Sequence, residues 1–172
     1  MQYENALYQL SFRDQRTWTQ AVLFTMGNIL LPQLCHTIPQ GGLILLPIYF
    51  STLVGAYIYG WRTGLLIAIA SPLLNHLLFG MPPAPMLPVL LLKSSVLALI
   101  ASMVARRFKH VSLVLLLQVV IGYQLVGGLG EALLQNSLTA PLQDWRIGWP
   151  GLLLQVVAGY GCIKALVKIQ DK

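Results

Sequence analysis

Residues 87–109 read LPVLLLKSSVLALIASMVARRFK, an apolar run that ends in a basic cluster. The apolar part, 87–105, has the length of about 20 residues that a helix needs to cross a bilayer. One charged residue, Lys93, interrupts it. An apolar run bounded by basic residues is typical of a transmembrane helix whose basic end lies in the cytoplasm.

Five further apolar runs of similar length occur, and with 87–105 they predict six membrane-spanning segments. The segments are 17–36, 42–60, 63–80, 87–105, 111–131 and 148–167. Backbone polar groups in lipid must be satisfied within each segment, so helices are expected; a β-barrel would show alternating polarity instead. The sequence therefore predicts an all-α, polytopic integral membrane protein. It forms one membrane domain over 1–172, with a short cytoplasmic or interfacial segment at 1–16 and a six-helix bundle at 17–168.

Nine of the eleven lysine and arginine residues fall on one side of this predicted membrane. They are Arg13, Arg16, Arg62, Arg106, Arg107, Lys109, Lys164, Lys168 and Lys172. The alternate connections at 36–42 and 80–88 contain no charged residue, and the one at 136–147 contains only Asp144 and Arg146. By the positive-inside rule, both termini are predicted to be cytoplasmic.

The composition favours the same class of protein. Hydrophobic residues make up 56% of the chain and charged residues 9%, whereas soluble domains carry about 25% charged residues. The net charge of +6 does not indicate nucleic-acid binding, because the basic residues form short clusters at membrane edges without interleaved aromatic residues. Contact with anionic membrane lipid explains these clusters more simply.

Catalytic chemistry has little support in the sequence. Of the five acidic residues, Glu131 alone falls within a predicted span, and the three histidines lie on different connections. No zinc-protease, nucleophile-elbow, paired-aspartate or phosphate-loop motif occurs. We therefore expect no enzymatic activity, no metal, no cofactor, and no ATP hydrolysis by this chain alone.

Two uncharged connections are candidate lids. The connection at 80–88 reads GMPPAPMLP, and its four prolines bar a regular helix. Its apolar side chains indicate a loop folded over an apolar site, or a tight turn buried against neighbouring helices. The connection at 36–42 is a second candidate flap. The lid residues are His36, Gln40, Met81, Pro82, Pro83 and Met86.

Polar and aromatic side chains occur at matching depth beneath these loops. The candidate ligand-binding residues are Lys93, Glu131, Gln124, Gln135, Asn136, Gln155, Trp145, Trp149, Tyr123, Asn75 and His76. Ionisable residues within a membrane usually face an interior and pair. Lys93 and Glu131 are therefore either a structural ion pair, or Lys93 binds an anionic group of a ligand. His76 is alternatively a structural hydrogen-bonding residue, and the two tryptophans are alternatively interface anchors.

Small residues recur on one face of two predicted helices. The stripes are Thr17, Ala21, Thr25 and Asn28 in the first span and Ser94, Ala98, Ala101 and Ala105 in the fourth. Small side chains let membrane helices approach closely. Each stripe packs within the bundle or docks a partner membrane protein, and spacing alone favours packing.

Four segments form a recognisable pattern: 45–50 (LLPIYF), 55–60 (GAYIYG), 64–66 (GLL) and 71–83 (SPLLNHLLFGMPP). This pattern resembles the substrate-binding S components of energy-coupling factor (ECF) transporters, in the branch of vitamin and vitamin-precursor carriers. The resemblance covers about residues 42–105, and elsewhere it depends on topology.

The resemblance implies a high-affinity binding subunit of an ABC-type importer in the cell membrane of a prokaryote. It implies a pocket near the outer face, built by helices four to six and the loops after helices one and three. It also implies a transmembrane T component and two ATPase subunits as partners. The family's A-x-x-x-A contact with the T component is here Ala21 and Thr25, with threonine in place of the second alanine.

Lys93 lies where relatives of this branch often carry an acidic residue, so the ligand is expected to differ in charge. A carboxylate nutrient such as pantothenate, lipoate or nicotinate fits that lysine. The alternative function is a stand-alone membrane carrier or scaffold that works without ATPases, and an intramembrane enzyme is a distant third. Co-purification with ATPases distinguishes the first two.

Overall fold

The computed structural model describes residue 7 and residues 10–35 and 37–170. These residues form helices and connections, with no strand among them. The helices are α1 (Gln15–Cys35), α2 (Gly41–Leu45), α3 (Phe50–Tyr59), α4 (Trp61–Phe79), α5 (Leu87–Phe108), α6 (Leu113–Gln135), α7 (Leu142–Arg146) and α8 (Trp149–Gln170), with 3₁₀ turns at Pro47–Tyr49 and Ala84–Met86. Residues 1–6, 8 and 9 of the predicted segment 1–16 lie outside the described residues, and so do His36 and Lys172.

The structure confirms the predicted all-α class, and it confirms four of the predicted membrane-spanning helices by length and apolar composition. Within the described ranges, four helical segments are long and apolar enough to cross a membrane: Trp61–Phe79, Ala84–Phe108, Leu113–Gln135 and Trp149–Gln170. They correspond to the predicted spans 63–80, 87–105, 111–131 and 148–167.

The first predicted span, 17–36, is a continuous helix of 21 residues, α1. That length is sufficient for a bilayer. Its interior carries polar residues, among them Gln20, Thr25 and Asn28, which lower its hydropathy, and α1 is not one of the four apolar spans.

The prediction of a continuous second helix over 42–60 is wrong. Leu46 adopts left-handed backbone angles (φ 47°, ψ 47°) and Pro47 follows it. Since proline has no N–H to donate, the helix breaks there. The segment divides into α2, a 3₁₀ turn and α3, which has ten residues. At a rise of about 1.5 Å per residue, α3 spans roughly 15 Å, half the thickness of a bilayer core.

α3 forms the centre of the bundle. Every residue from Ser51 to Tyr59 is buried, and α1, α4, α5 and α8 pack around them. Gly64 of α4 permits a close approach to α3, because a Cβ atom there would lie 2.5 Å from the Cβ of Ala56. The broken segment thus supplies a core helix.

A buried polar cluster joins α1, α3 and α4. The Nδ2 of Asn28 donates to Thr52 Oγ1 (2.9 Å) and to Ser71 Oγ (3.2 Å), and its Oδ1 accepts from the backbone N–H of Ser51 (3.0 Å). Asn28 is fully buried and satisfied on both sides of its amide. Interhelical hydrogen bonds of this kind hold helices together where lipid gives no hydrophobic drive.

Both small-residue stripes face the bundle interior. Thr17, Ala21, Thr25 and Asn28 are buried on α1, and Ser94, Ala98, Ala101 and Ala105 are buried on α5. The docking assignment of Ala21 and Thr25 is therefore not supported, because side chains already packed against neighbouring helices have no surface to offer a partner. The packing alternative accounts for both stripes.

The two ends of the bundle differ in charge. At one end, the basic end, Leu10 N–H donates to Tyr59 O (3.3 Å) and Tyr57 Oη donates to His110 O (2.8 Å). Eight basic residues lie there: Arg13, Arg16, Arg62, Arg106, Arg107, Lys109, Lys164 and Lys168. At the other end, the loop end, the segments 37–49, 80–86 and 136–148 meet. The charge segregation read from the sequence is thus preserved in three dimensions.

Replacing Asn28 with alanine should destabilise the fold, since the Ser51 N–H would be left buried without a partner. We expect a loss of about 1–3 kcal/mol, seen as a lower midpoint of thermal unfolding in detergent. Thr19→Ala is the matched control, because Thr19 is exposed on the same helix and bonds only to Gln15 O of its own turn. Equal effects of the two substitutions would contradict the role given to the cluster.

Candidate functional site

Lys93 is buried at the loop end between two carboxylates. Its Nζ lies 2.5 Å from Oε2 of Glu131 and 2.9 Å from Oδ2 of Asp144. The three residues belong to α5, α6 and α7, and Lys93 is 1% exposed. We call this group the ionic triad. With both carboxyl groups ionised its formal charge is −1.

Glycines on α6 allow the triad to form. A Cβ atom at Gly127 would lie 2.9 Å from Cγ of Lys93, and one at Gly128 would lie 3.2 Å from Cβ of Pro141. A Cβ atom at Gly130 would collide with the side chain of Leu92. The run Gly127-Gly128-Leu129-Gly130 therefore lets α5 and the segment that leads into α7 lie directly against α6.

Hydrogen bonds extend the triad across the bundle to α8. Gln124 Nε2 donates to Asp144 Oδ2 (3.2 Å) and to the hydroxyl of Tyr123 (3.1 Å), and that hydroxyl donates to Gln155 Oε1 (3.1 Å). The Tyr123 ring centroid is 5.5 Å from that of Tyr49. The predicted residues Lys93, Glu131, Gln124, Tyr123 and Gln155 are thus brought together in one network.

Gln135 joins the edge of this network, with Nε2 donating to Glu131 Oε1 (3.3 Å). Asp144 is the member that sequence reasoning missed as a site residue. The available signal was an acidic side chain in an outer connection otherwise nearly free of charge, at the same end as a lysine inside a span.

Other predicted ligand-binding residues lie elsewhere. Trp145 and Trp149 are 39% and 60% exposed, which fits interface anchors. Asn136 is exposed and caps α6 in a left-handed conformation (φ 48°), its N–H donating to Ala132 O. The structure gives Asn136 a backbone role and places neither tryptophan in the network.

His76 makes a structural contact with a lid. Its Nδ1 lies 2.7 Å from the carbonyl oxygen of Pro82, so it joins the end of α4 to the connection that follows. This is the structural alternative drawn from the sequence. The predicted lid residue His36 lies outside the described residues.

A cavity of about 540 Å³ lies between the two lid connections. This size is within the usual range for small-molecule sites, about 300–1,000 Å³. Its lining includes Pro32, Gln33, Ile38, Pro39, Gln40, Gly41, Gly42, Leu43, Pro47, Ile48, Asn75, Met81, Pro82, Pro83, Met86, Leu90 and Gln143. The predicted lid residues Gln40, Met81, Pro82, Pro83 and Met86 all contribute to this wall, as does the predicted ligand-binding residue Asn75.

The ionic triad adjoins the cavity without lining it. Leu90, one turn before Lys93 on α5, contributes to the wall, and so does Gln143, the neighbour of Asp144. No side chain of the triad does. The site therefore has two layers, an apolar cavity under the lids and a buried polar network beside it.

Within the described ranges, no three His, Cys, Asp or Glu side chains are placed to hold a metal ion. No family model, curated protein or solved structure matches the chain. The fold and the site geometry together define a helical membrane protein with a mainly apolar cavity at one end.

Removing the lysine from the triad while keeping its carboxylates should destabilise the folded protein. Lys93→Met leaves the buried carboxylate of Glu131 and the half-buried carboxylate of Asp144 without their cation, and we expect a loss of about 3–5 kcal/mol in the free energy of unfolding. The triple variant Lys93→Met, Glu131→Gln, Asp144→Asn removes all three charges and should recover most of that loss. Thermal unfolding in detergent measures both.

Lys164→Met is the matched control for the single variant, because Lys164 is exposed and bonds only to Tyr160. It should shift the unfolding midpoint little. A Lys93→Met protein as stable as the wild type would show that the triad does not support the fold.

Proposed function

We propose that this protein is the solute-binding subunit of a membrane importer of the ECF type, an S component that takes up a vitamin-like micronutrient. The observation that carries the proposal is the cavity of about 540 Å³ roofed by two uncharged, apolar lids on a helical membrane bundle. A concave, mostly apolar site with a few polar groups is the usual form of a small-molecule pocket.

Two of the four segments that resemble S components contribute to this cavity. Segment 45–50 contributes Pro47 and Ile48, and segment 71–83 contributes Asn75 and three lid residues, Met81, Pro82 and Pro83. A resemblance confined to core positions would say little about function. Its coincidence with the cavity wall supports a binding role.

The proposed topology has six crossings, with both termini in the cytoplasm of a prokaryotic cell. The described basic residues of the basic end favour the cytoplasmic side, and on this topology the lids and the cavity would lie at the outer face. α1 and the α2–α3 segment would complete the six, the latter as a broken crossing. A binding subunit that faces outward fits uptake of a scarce nutrient.

The proposed partners are a transmembrane T component and two ATPase subunits, since this chain carries no phosphate-binding loop. Affinity purification from host membranes tests this directly. The T component and the ATPases should co-purify with the tagged full chain. A chain that purifies without them, yet still binds and moves solute in vesicles, would favour the stand-alone carrier.

Filling the cavity should abolish binding without unfolding the protein. Leu90→Trp places a bulky ring in the cavity wall, and we expect native mass spectrometry to show loss of the bound small molecule. Leu99→Trp is the matched control on the same helix, because Leu99 is 46% exposed on the outer surface. If folded Leu90→Trp protein retained the ligand fully, this cavity would not be the binding site.

A further inference from the structure

Asn75 presents a buried acceptor whose orientation is fixed by its surroundings. Its Nδ2 donates to the carbonyl oxygens of Asn28 (3.0 Å) and Ser71 (2.9 Å). Carbonyl oxygens only accept, so the amide nitrogen must occupy that side. The amide oxygen, Oδ1, then faces the opposite way.

Asn75 Oδ1 has no hydrogen-bond partner among the described residues, although Asn75 is only 2% exposed. An unpaired acceptor at such depth costs free energy unless something donates to it. Asn75 lines the cavity. Asn75 therefore brings a buried, unused hydrogen-bond acceptor to the cavity wall, anchored by the same cluster that joins α1, α3 and α4.

The described lining contains no charged side chain, and its polar members are Gln33, Gln40, Asn75 and Gln143. An ionic group entering this space would lose its hydration with no counter-charge to replace it. The triad adjoins the cavity beside Gln143, and with both carboxyl groups ionised its formal charge is −1. Its field disfavours an anion.

We propose that the cavity selects an uncharged ligand that donates a hydrogen bond from an N–H or O–H group to Asn75 Oδ1, and that it discriminates against carboxylates. This inference rests on the proposed binding function and revises its ligand chemistry. The carboxylate expectation depended on a free Lys93, whereas Lys93 is paired twice and lies outside the cavity lining.

Matched pairs of ligands test the proposal on the wild-type full chain in detergent. The probes are nicotinate and nicotinamide, lipoate and lipoamide, and pantothenate and its alcohol. Binding is measured by ligand-dependent thermal stabilisation and by titration calorimetry. Wherever a pair binds, we expect the uncharged, donor-bearing member to bind at least about tenfold more tightly.

The donor itself is tested by replacing the primary amide of a binding probe with a methyl ketone, which has similar size and no N–H. We expect at least about a tenfold loss of affinity. Asn75→Leu should remove the preference for the amide over the ketone, while Gln118→Leu, at an exposed position on α6, should keep it. The ligand comparison needs no variant, so it stands even if Asn75→Leu does not fold.

The outcomes separate the two proposals. Carboxylates that bind as tightly as their uncharged partners, or ketones as tight as amides, would overturn this inference and leave the binding function in place. A wild-type chain that is folded and binds none of the probes would overturn the binding function and this inference with it.

Discussion

The charge of Lys93 constrains the whole loop end, because an ammonium group buried among helices requires carboxylates beside it. Glu131 comes from the adjacent helix, but Asp144 reaches Lys93 only if α7 folds back onto α6. That fold leads directly into α8, where a Cβ atom at Gly151 would lie 2.5 Å from the backbone of Leu45. α2 and its lid are thus held against α8, and the cavity forms in the remaining space.

This arrangement keeps the charged side chains of the ionic triad apart from the cavity. The triad satisfies the ionic groups within the protein, and the cavity beside it is left with apolar walls and amide side chains. Asn75 connects the cavity wall to the Asn28 cluster, so its amide is held in place by hydrogen bonds within the cluster that joins three helices.

Much of this structure could be predicted from the sequence, because long apolar runs dictate helices in lipid. The ends of α4, α5, α6 and α8 follow those runs, and the proline-rich composition of 80–88 marked the connection between α4 and α5. Pro47 marks the break after Leu46 in the sequence but does not by itself predict it, because Pro32 and Pro72 lie inside continuous helices. The partnership of Asp144 with Lys93 was also hidden, because it depends on how a connection packs in three dimensions.

We infer that the ionic triad stabilises the loop end without touching the ligand, so a folded variant with uncharged side chains in all three places should keep the cavity. Ligand affinity of the folded triple variant Lys93→Met, Glu131→Gln, Asp144→Asn tests this most directly, measured by titration calorimetry with the tightest uncharged probe. We predict an affinity within about threefold of the wild type. Loss of binding by a variant that remains folded would place the triad in the ligand site and contradict the account.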